Sequence, residues 1–287
     1  MYESFFSLHE PAFSMTPDPR FLWLSETHEE GLAALCYGIA RRKGFILLTG
    51  EVGAGKSTLL RTALHRISED ILDVPGTALI MNTAGLTPLD LLKLIAAEFR
   101  IGGGMRTRGD YIIALDTFLL ERLRDGLNTV LIIDEAQNLS QQALEQVRLL
   151  SNLETETDKL LQIVLSGQPE LLGKLASPRL TQLRQRIAVE HHVERLPQHE
   201  TLAYLRHRIR VAGGRYEQIF APGVEDAFAA FASGCPRLLN LLADRVLLAA
   251  YAKQLRPVPP AFVEAKAKEM TVARGVAPRT QAAREEY

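Results

Sequence analysis

Apolar residues in this chain occur in two kinds of run, one short and continuous, the other spaced at three and four. Helical spacing first holds from Glu29 to Arg42. Gly44-Phe-Ile-Leu-Leu-Thr49 follows as a continuous apolar run ending in glycines, the pattern of a buried parallel strand. A helix begins after Lys56, and Thr77–Asn82 reads as a second strand. Helical patterns cover Pro88–Phe99 and Tyr111–Arg124, on either side of a Gly102-Gly103-Gly104 break, and Thr129–Ile133 is the clearest strand of all. A helix over Gln141–Leu153, a strand over Leu161–Leu165 and a short strand over Ile187–Val193 complete the alternation. Strands alternating with helices predict an α/β fold, a parallel sheet covered on both faces. Beyond Pro197 the strand signal stops. Residues 198–212, 223–232 and 236–253 read as three helices, before Pro257, Pro259 and Pro260 break the chain and a polar tail begins. The predicted division is an N-terminal segment 1–28, a core 29–196, a helical domain 197–255 and a tail 256–287.

The first thirty residues are aromatic and apolar, with Phe5, Phe6, Leu8, Phe13, Phe21, Leu22 and Trp23, and Pro11, Pro17 and Pro19 keep them extended. A free tail would not carry that surface, so the segment is expected to pack.

Composition narrows the class. At 287 residues, 47% apolar and 23% charged, the chain is an ordinary globular one, long enough to hold a core without staples. Thirty-three basic against thirty-four acidic residues exclude a globally polycationic or acidic protein, though not a local basic face. Cys36 and Cys235 lie far apart with no ligand spacing, which argues against zinc and for a reducing compartment. The pair His191–His192 likewise lacks ligand spacing and reads as a solvated strand end. No secretory signal opens the chain, and the longest apolar stretch, Leu238–Ala252, is interrupted by Asn240, Asp244 and Arg245. The expectation is a cytoplasmic chain with no integral membrane segment.

The chemistry begins at Gly50-Glu51-Val52-Gly53-Ala54-Gly55-Lys56-Ser57, which matches the phosphate-loop pattern between a strand and a helix that continues with Thr58. Glycines let backbone N–H groups turn toward an anion, and the helix N-terminus adds its positive end. Lys56 would reach the β- and γ-phosphates of ATP, and Ser57 would ligate Mg²⁺. A chance glycine-rich turn is the alternative. Asp134 and Glu135 reduce its weight, because they end an apolar strand and so lie at the carboxyl edge of a parallel sheet, beside such a loop. Asp134 would hold Mg²⁺ through water, and Glu135 would orient and activate the attacking water. The two acids could also cap the next helix. Taken together, the two motifs read as an ATP-hydrolysing P-loop protein.

Further motifs carry a resemblance. Met1-Tyr-Glu-x-Phe-Phe-x-Leu8, Pro17-Asp-Pro-Arg-Phe-Leu22, His28-Glu-Glu, Gly50-Glu-Val-Gly, Asp134-Glu-Ala-Gln-Asn-Leu139, Ser166-Gly-Gln-Pro-Glu-Leu171, Leu183-Arg-Gln-Arg-Ile187 and Gly234-Cys-Pro-Arg237 occur in one order. Over Met1 to about Tyr251 the chain resembles the general secretion pathway A-type ATPases of the AAA+ class. That group includes pilus-biogenesis and exopolysaccharide-linked ATPases and is similar to the ATPase regulators of DNA transposition. The resemblance implies a five-stranded parallel sheet of order 5-1-4-3-2 with a C-terminal helical lid. Secretion members continue into a transmembrane helix and a peptidoglycan-binding domain, whereas this sequence stops before them.

The resemblance also implies roles for single residues. Gln168, or else Ser166, would contact the γ-phosphate or the attacking water; a turn closed by Pro169 is the plainer reading. Arg237 would point from the lid to the bound phosphates, where a planar guanidinium suits paired oxygens. In AAA+ rings an arginine before the last strand completes the neighbour's site, so Arg184, then Arg186, then Arg179 are candidates for a residue acting in trans. Phe21 and Leu22, near His28, would wall the adenine pocket, with core packing as the equal alternative.

Arg195, Arg206, Arg208, Arg210 and Arg215 cluster in the first lid helix and its exit. They read either as a solvated face or as a track for duplex DNA, and no Phe, Trp or Tyr interleaves them between Arg206 and Arg215. The leading functional reading is an ATP-dependent homo-oligomer, a ring or filament, that drives assembly of a larger machine with protein partners. The alternatives are an ATP-dependent DNA-binding regulator of transposition and a nucleotide-gated scaffold with little turnover.

Overall fold

A computed structural model describes residues 1–70, 76–81 and 83–273. Along the chain run α1 (Tyr2–Phe5), α2 (Glu26–Ala40), β1 (Phe45–Gly50), α3 (Lys56–Asp70), β2 (Gly76–Ile80), α4 (Pro88–Glu98), α5 (Arg108–Arg124), β3 (Thr129–Ile133), α6 (Gln141–Leu150) and β4 (Gln162–Gly167). There follow α7 (Glu170–Leu175), α8 (Thr181–Gln185), β5 (Ile187–Val193), α9 (Thr201–Val211), α10 (Tyr216–Ile219), α11 (Val224–Ala232), α12 (Pro236–Ala252) and α13 (Pro260–Ala273). Two compact units result, Pro17–Glu194 and Met1–Thr16 together with the chain from Arg195.

The first unit is the α/β core. Its strands are all parallel in the order β2-β3-β4-β1-β5, the expected 5-1-4-3-2 read from the other edge. Every residue of β1, β3 and β4 is buried, as continuous apolar strands covered on both faces require. Alternation then sorts their side chains. Phe45, Leu47, Leu131, Ile133, Ile163 and Leu165 face one core with α4, α5 and α6, while Ile46, Leu48, Val130, Ile132 and Val164 face another with α2 and α3. β5 alternates half-buried and exposed positions until Val193, in keeping with its place at the sheet edge.

Helix ends follow local chemistry, and they move several predicted boundaries. α5 starts at Arg108 rather than Tyr111, because Thr107 and Asp110 form a reciprocal capping box. β4 runs on to Gly167, so Ser166 belongs to the strand. Asn82, read as the end of the second strand, lies outside the described residues, and that strand begins one residue early, at Gly76.

The second unit is helical. Its first sixteen residues account for much of the aromatic N-terminus: Phe6 and Phe13 are fully buried there. Tyr2 donates to Asp244, Arg256 Nη1 to the Phe5 carbonyl (2.6 Å), and the buried Arg208 Nε to the Ala12 carbonyl (2.7 Å). The N-terminal segment, read as one piece over 1–28, thus divides between Thr16 and Pro17. The proline-rich break near 257 does not end the fold. Pro260 opens α13, whose Val263 and Met270 are buried, and the helix packs against α11 and α12.

Candidate functional site

The strand order puts β3, β4 and β1 side by side, so whatever follows their carboxyl ends converges. Residues 51–55 link β1 to α3, with Gly53 (φ 77°) and Gly55 (φ 102°) in the left-handed region that glycine tolerates. Lys56 at the head of α3 is buried, and its Nζ donates to the carbonyls of Gly50 (2.8 Å) and Glu51 (3.0 Å). Burial lowers its pKa, opposed by the charges of Glu135, Asp134, Glu51 and Glu170.

The hydroxyl of Ser57 donates to Asp134 Oδ2 (2.8 Å), and Ser166 donates to Asp134 Oδ1 (2.7 Å), which also accepts from the Glu135 backbone N–H (3.0 Å). The two residues assigned to Mg²⁺ are therefore in direct contact. One carboxylate and one hydroxyl beside an anion loop suit Mg²⁺, which keeps waters and substrate oxygens in its shell. Among the described residues no cluster of three or more His, Cys, Asp or Glu offers an all-protein metal cage.

Glu135 adopts a left-handed backbone conformation (φ 54°, ψ 36°), uncommon for a residue with a side chain. Its carboxylate Oε2 accepts from Gln137 Nε2 (2.6 Å) and Gln168 Nε2 (3.1 Å), and its carbonyl accepts from Thr83 Oγ1 (2.9 Å). Gln137 Oε1 accepts the backbone N–H of Gln168 (3.0 Å). These partners fix the amide orientation of Gln137, since a carboxylate only accepts and an N–H only donates. Lys174 ties the same turn, donating to the carbonyls of Gln137 and Leu139. Gln168 thus reaches the acid, while Ser166 reaches Asp134. In the sequence Gln137 is only one letter of the motif Asp134–Leu139. Its signal was an amide two residues after an acid at a strand end, too short a pattern to specify a bond.

His28 holds the loop from α2. Its Nε2 lies 2.9 Å from the Ala54 carbonyl and its Nδ1 2.6 Å from Ser25 Oγ. A carbonyl can only accept, so Nε2 carries the proton toward Ala54. Ser25, the N-cap residue of α2, makes no side-chain cap bond of its own. A Cβ on Gly55 would stand 3.0 Å from His28 Nε2, so ring and loop fit closely. Sequence placed His28 near the base pocket and gave it no contact with the loop. Phe21 is buried in the turn Pro19–Phe21, which contacts α3, and Leu22 packs on the core that includes Ala54 and Leu59.

The remaining candidates lie apart. Arg184 is exposed in the last turn of α8. Arg186 is engaged within the fold, donating to Ser151, Asn152 Oδ1 (2.7 Å) and the Arg148 carbonyl (3.4 Å). Arg179 is exposed and lines a separate cavity. Arg237 is exposed in the first turn of α12, after Gly234, where a Cβ would meet the Leu196 carbonyl oxygen at 2.3 Å. In the arginine cluster, Arg208 is buried, which takes it from any continuous basic track, and Arg206 pairs with Glu217 (3.1 Å) at the surface.

Comparison with known proteins bears on the family and the fold. Residues 39–175 match the family described as AAA domain. General secretion pathway protein A of Aeromonas hydrophila is 44% identical over 257 residues, covering 88% of this chain and 45% of that protein. The chain therefore spans less than half the length of this relative. Among solved structures, Cdc6p from Pyrobaculum aerophilum aligns with a TM-score of 0.68 at 19% identity, over 85% of this chain and 66% of that one. The Aeropyrum pernix ORC2 protein aligns at 0.67 and 15% identity, over 91% and 71%. At these identities the likeness shows the fold alone. No helix among the described residues is long and apolar enough to cross a membrane.

Proposed function

The chain is an AAA+ protein related to the general secretion pathway A proteins, and we propose that it binds ATP·Mg²⁺ and hydrolyses it at contacts between its own subunits. The observation that carries this reading is the juxtaposition at the sheet edge: Lys56 in the loop, Ser57 bonded to Asp134, and Glu135 beside them with Gln168 on its carboxylate. Backbone N–H groups of the loop and Lys56 would hold the phosphates, with Phe21 and Leu22 toward the base. Ser57 and Asp134 would hold Mg²⁺, which neutralises charge on the phosphate oxygens. Glu135 then takes the proton of the attacking water, and Gln168 orients that water or the γ-phosphate. Arg237 would report nucleotide state to the helical unit, and Arg184 would complete the neighbouring site, stabilising the charge of the transferring phosphoryl group.

The biological reading is assembly of an envelope or secretion apparatus, in line with the name of the relative. Regulation of transposition through DNA would have to use the arginines of this cluster other than Arg208, which is buried and bonded to the Ala12 carbonyl. The test is Mg²⁺-dependent phosphate release measured across a range of protein concentrations. Specific activity that rises with concentration and is absent in Lys56→Ala supports the reading. No release at any concentration contradicts it.

A further inference from the structure

The core unit holds a second concave site that uses no residue of the phosphate loop. A cavity of about 450 Å³ opens along one stripe of α6, between Gln142, Glu145, Gln146 and Leu149 on one side and Arg108 with Arg179–Leu180 on the other. Small-ligand pockets span about 300–1,000 Å³. Three features restrict what this one can take. Gln146 is 1% exposed, and neither its Nε2 nor its Oε1 has a hydrogen-bond partner. Buried carboxamides without partners are rare and destabilising in native proteins. Arg108 and Arg179 are both exposed, and among the described residues no ion pair involves either. Glu145, the acid on the wall, is already held by Arg148 through contacts of 2.7, 2.9 and 3.0 Å. The cavity therefore presents two cations and an apolar floor at Leu149 and Leu180, with the unpaired Gln146 amide covered within its wall.

The geometry points to a docking site for an extended acidic peptide segment of a partner protein. A peptide group offers N–H and C=O side by side, the complement of a carboxamide. Aspartate or glutamate side chains meet the arginines through charge-assisted bonds. Alternate apolar side chains of an extended segment meet the floor. The Gln146 amide is covered in the free protein, so binding turns it outward and exchanges an unpaired state for a paired one. A nucleotide would offer a base to the amide and phosphates to the arginines. Among the described residues no aromatic side chain lines the cavity to stack a base, and none of its lining residues is a glycine. That favours the peptide.

The test uses the full chain without nucleotide, so its outcome is separate from that of the hydrolysis reading. Dye-labelled hexapeptides alternating leucine with aspartate or glutamate, and neutral versions with asparagine or glutamine, are titrated by fluorescence anisotropy. The acidic peptides should bind saturably, and the neutral ones on the order of tenfold more weakly, the effect of losing a charge-assisted bond. Arg108→Ala and Arg179→Ala should each weaken the acidic peptides by a similar factor. Gln146→Leu should weaken binding while raising the melting temperature, because it removes the unpaired amide at similar volume, a combination that misfolding cannot produce. The proposal is overturned if neither acidic peptide binds more tightly than about 1 mM, if the neutral peptides bind equally well, or if Gln146→Leu leaves affinity unchanged. Saturable ADP binding by Lys56→Ala that Arg179→Ala removes would make the cavity a nucleotide site instead. Self-association that Arg179→Ala abolishes and the peptides do not compete would assign the face to a second copy of the chain.

Discussion

Glu135 is held from three directions, by Gln137 and Gln168 at its carboxylate and by Thr83 at its carbonyl. Without Gln137 the carboxylate keeps one amide donor, and the Gln168 backbone N–H loses its acceptor. Gln137→Ala should therefore lower kcat on the order of tenfold, the weight of one bond to a charged group, and leave nucleotide affinity nearly unchanged. Gln168→Ala should act in the same direction, and the double variant should fall short of the sum, because both amides hold one oxygen. Steady-state kinetics beside nucleotide titration checks both. His28 predicts the opposite division. It bonds the Ala54 carbonyl inside the loop, so His28→Ala should weaken nucleotide binding more than it slows turnover. His28→Gln, whose amide N–H can still donate, should recover part of the affinity. Gln137 shows why such contacts are hard to read in sequence. Its motif announces a strand end with an acid, but the bond depends on a turn bringing Gln168 from another strand.

Elements were legible where one signal dominated. The continuous apolar runs of β1, β3 and β4 marked buried strands because both faces are covered, and the order of the sheet came with the family resemblance. Boundaries moved where capping chemistry outweighed periodicity. Thr107 and Asp110 start α5 three residues before the apolar pattern does. Thr107→Ala should accordingly cost about 1 kcal/mol of stability, seen as a lower denaturant midpoint with unchanged slope. The helix after the prolines, where a polar tail is expected, has a related reason. Prolines at 257, 259 and 260 read as a terminator, yet proline is also favoured at a helix start, and the burial of Val263 and Met270 shows that a buried face follows. Gln146 was unreadable for the converse reason: a glutamine on a polar-looking helix gives no hint that it is buried without partners.

At the scale of the whole molecule there are two units, an α/β core bearing the loop and a helical unit bearing Arg237. A single subunit supplies Lys56, Asp134 and Glu135, but Arg184 is exposed in the last turn of α8. If Arg184 serves the neighbour, Arg184→Ala should bind ATP normally and hydrolyse it about 10³-fold or more slowly at every concentration. Mixing it with Lys56→Ala should restore some activity, because a mixed contact joins an intact loop to an intact arginine. An arginine acting within its own subunit predicts no rescue. Beneath this lies the claim that Glu135 is the base of an ATP-hydrolysing site, and single-turnover hydrolysis by Glu135→Gln tests it most directly. The amide fills the same volume but cannot take the proton of the attacking water. ATP should bind with wild-type affinity and remain uncleaved over many wild-type turnover times. Cleavage at the wild-type rate would contradict the account.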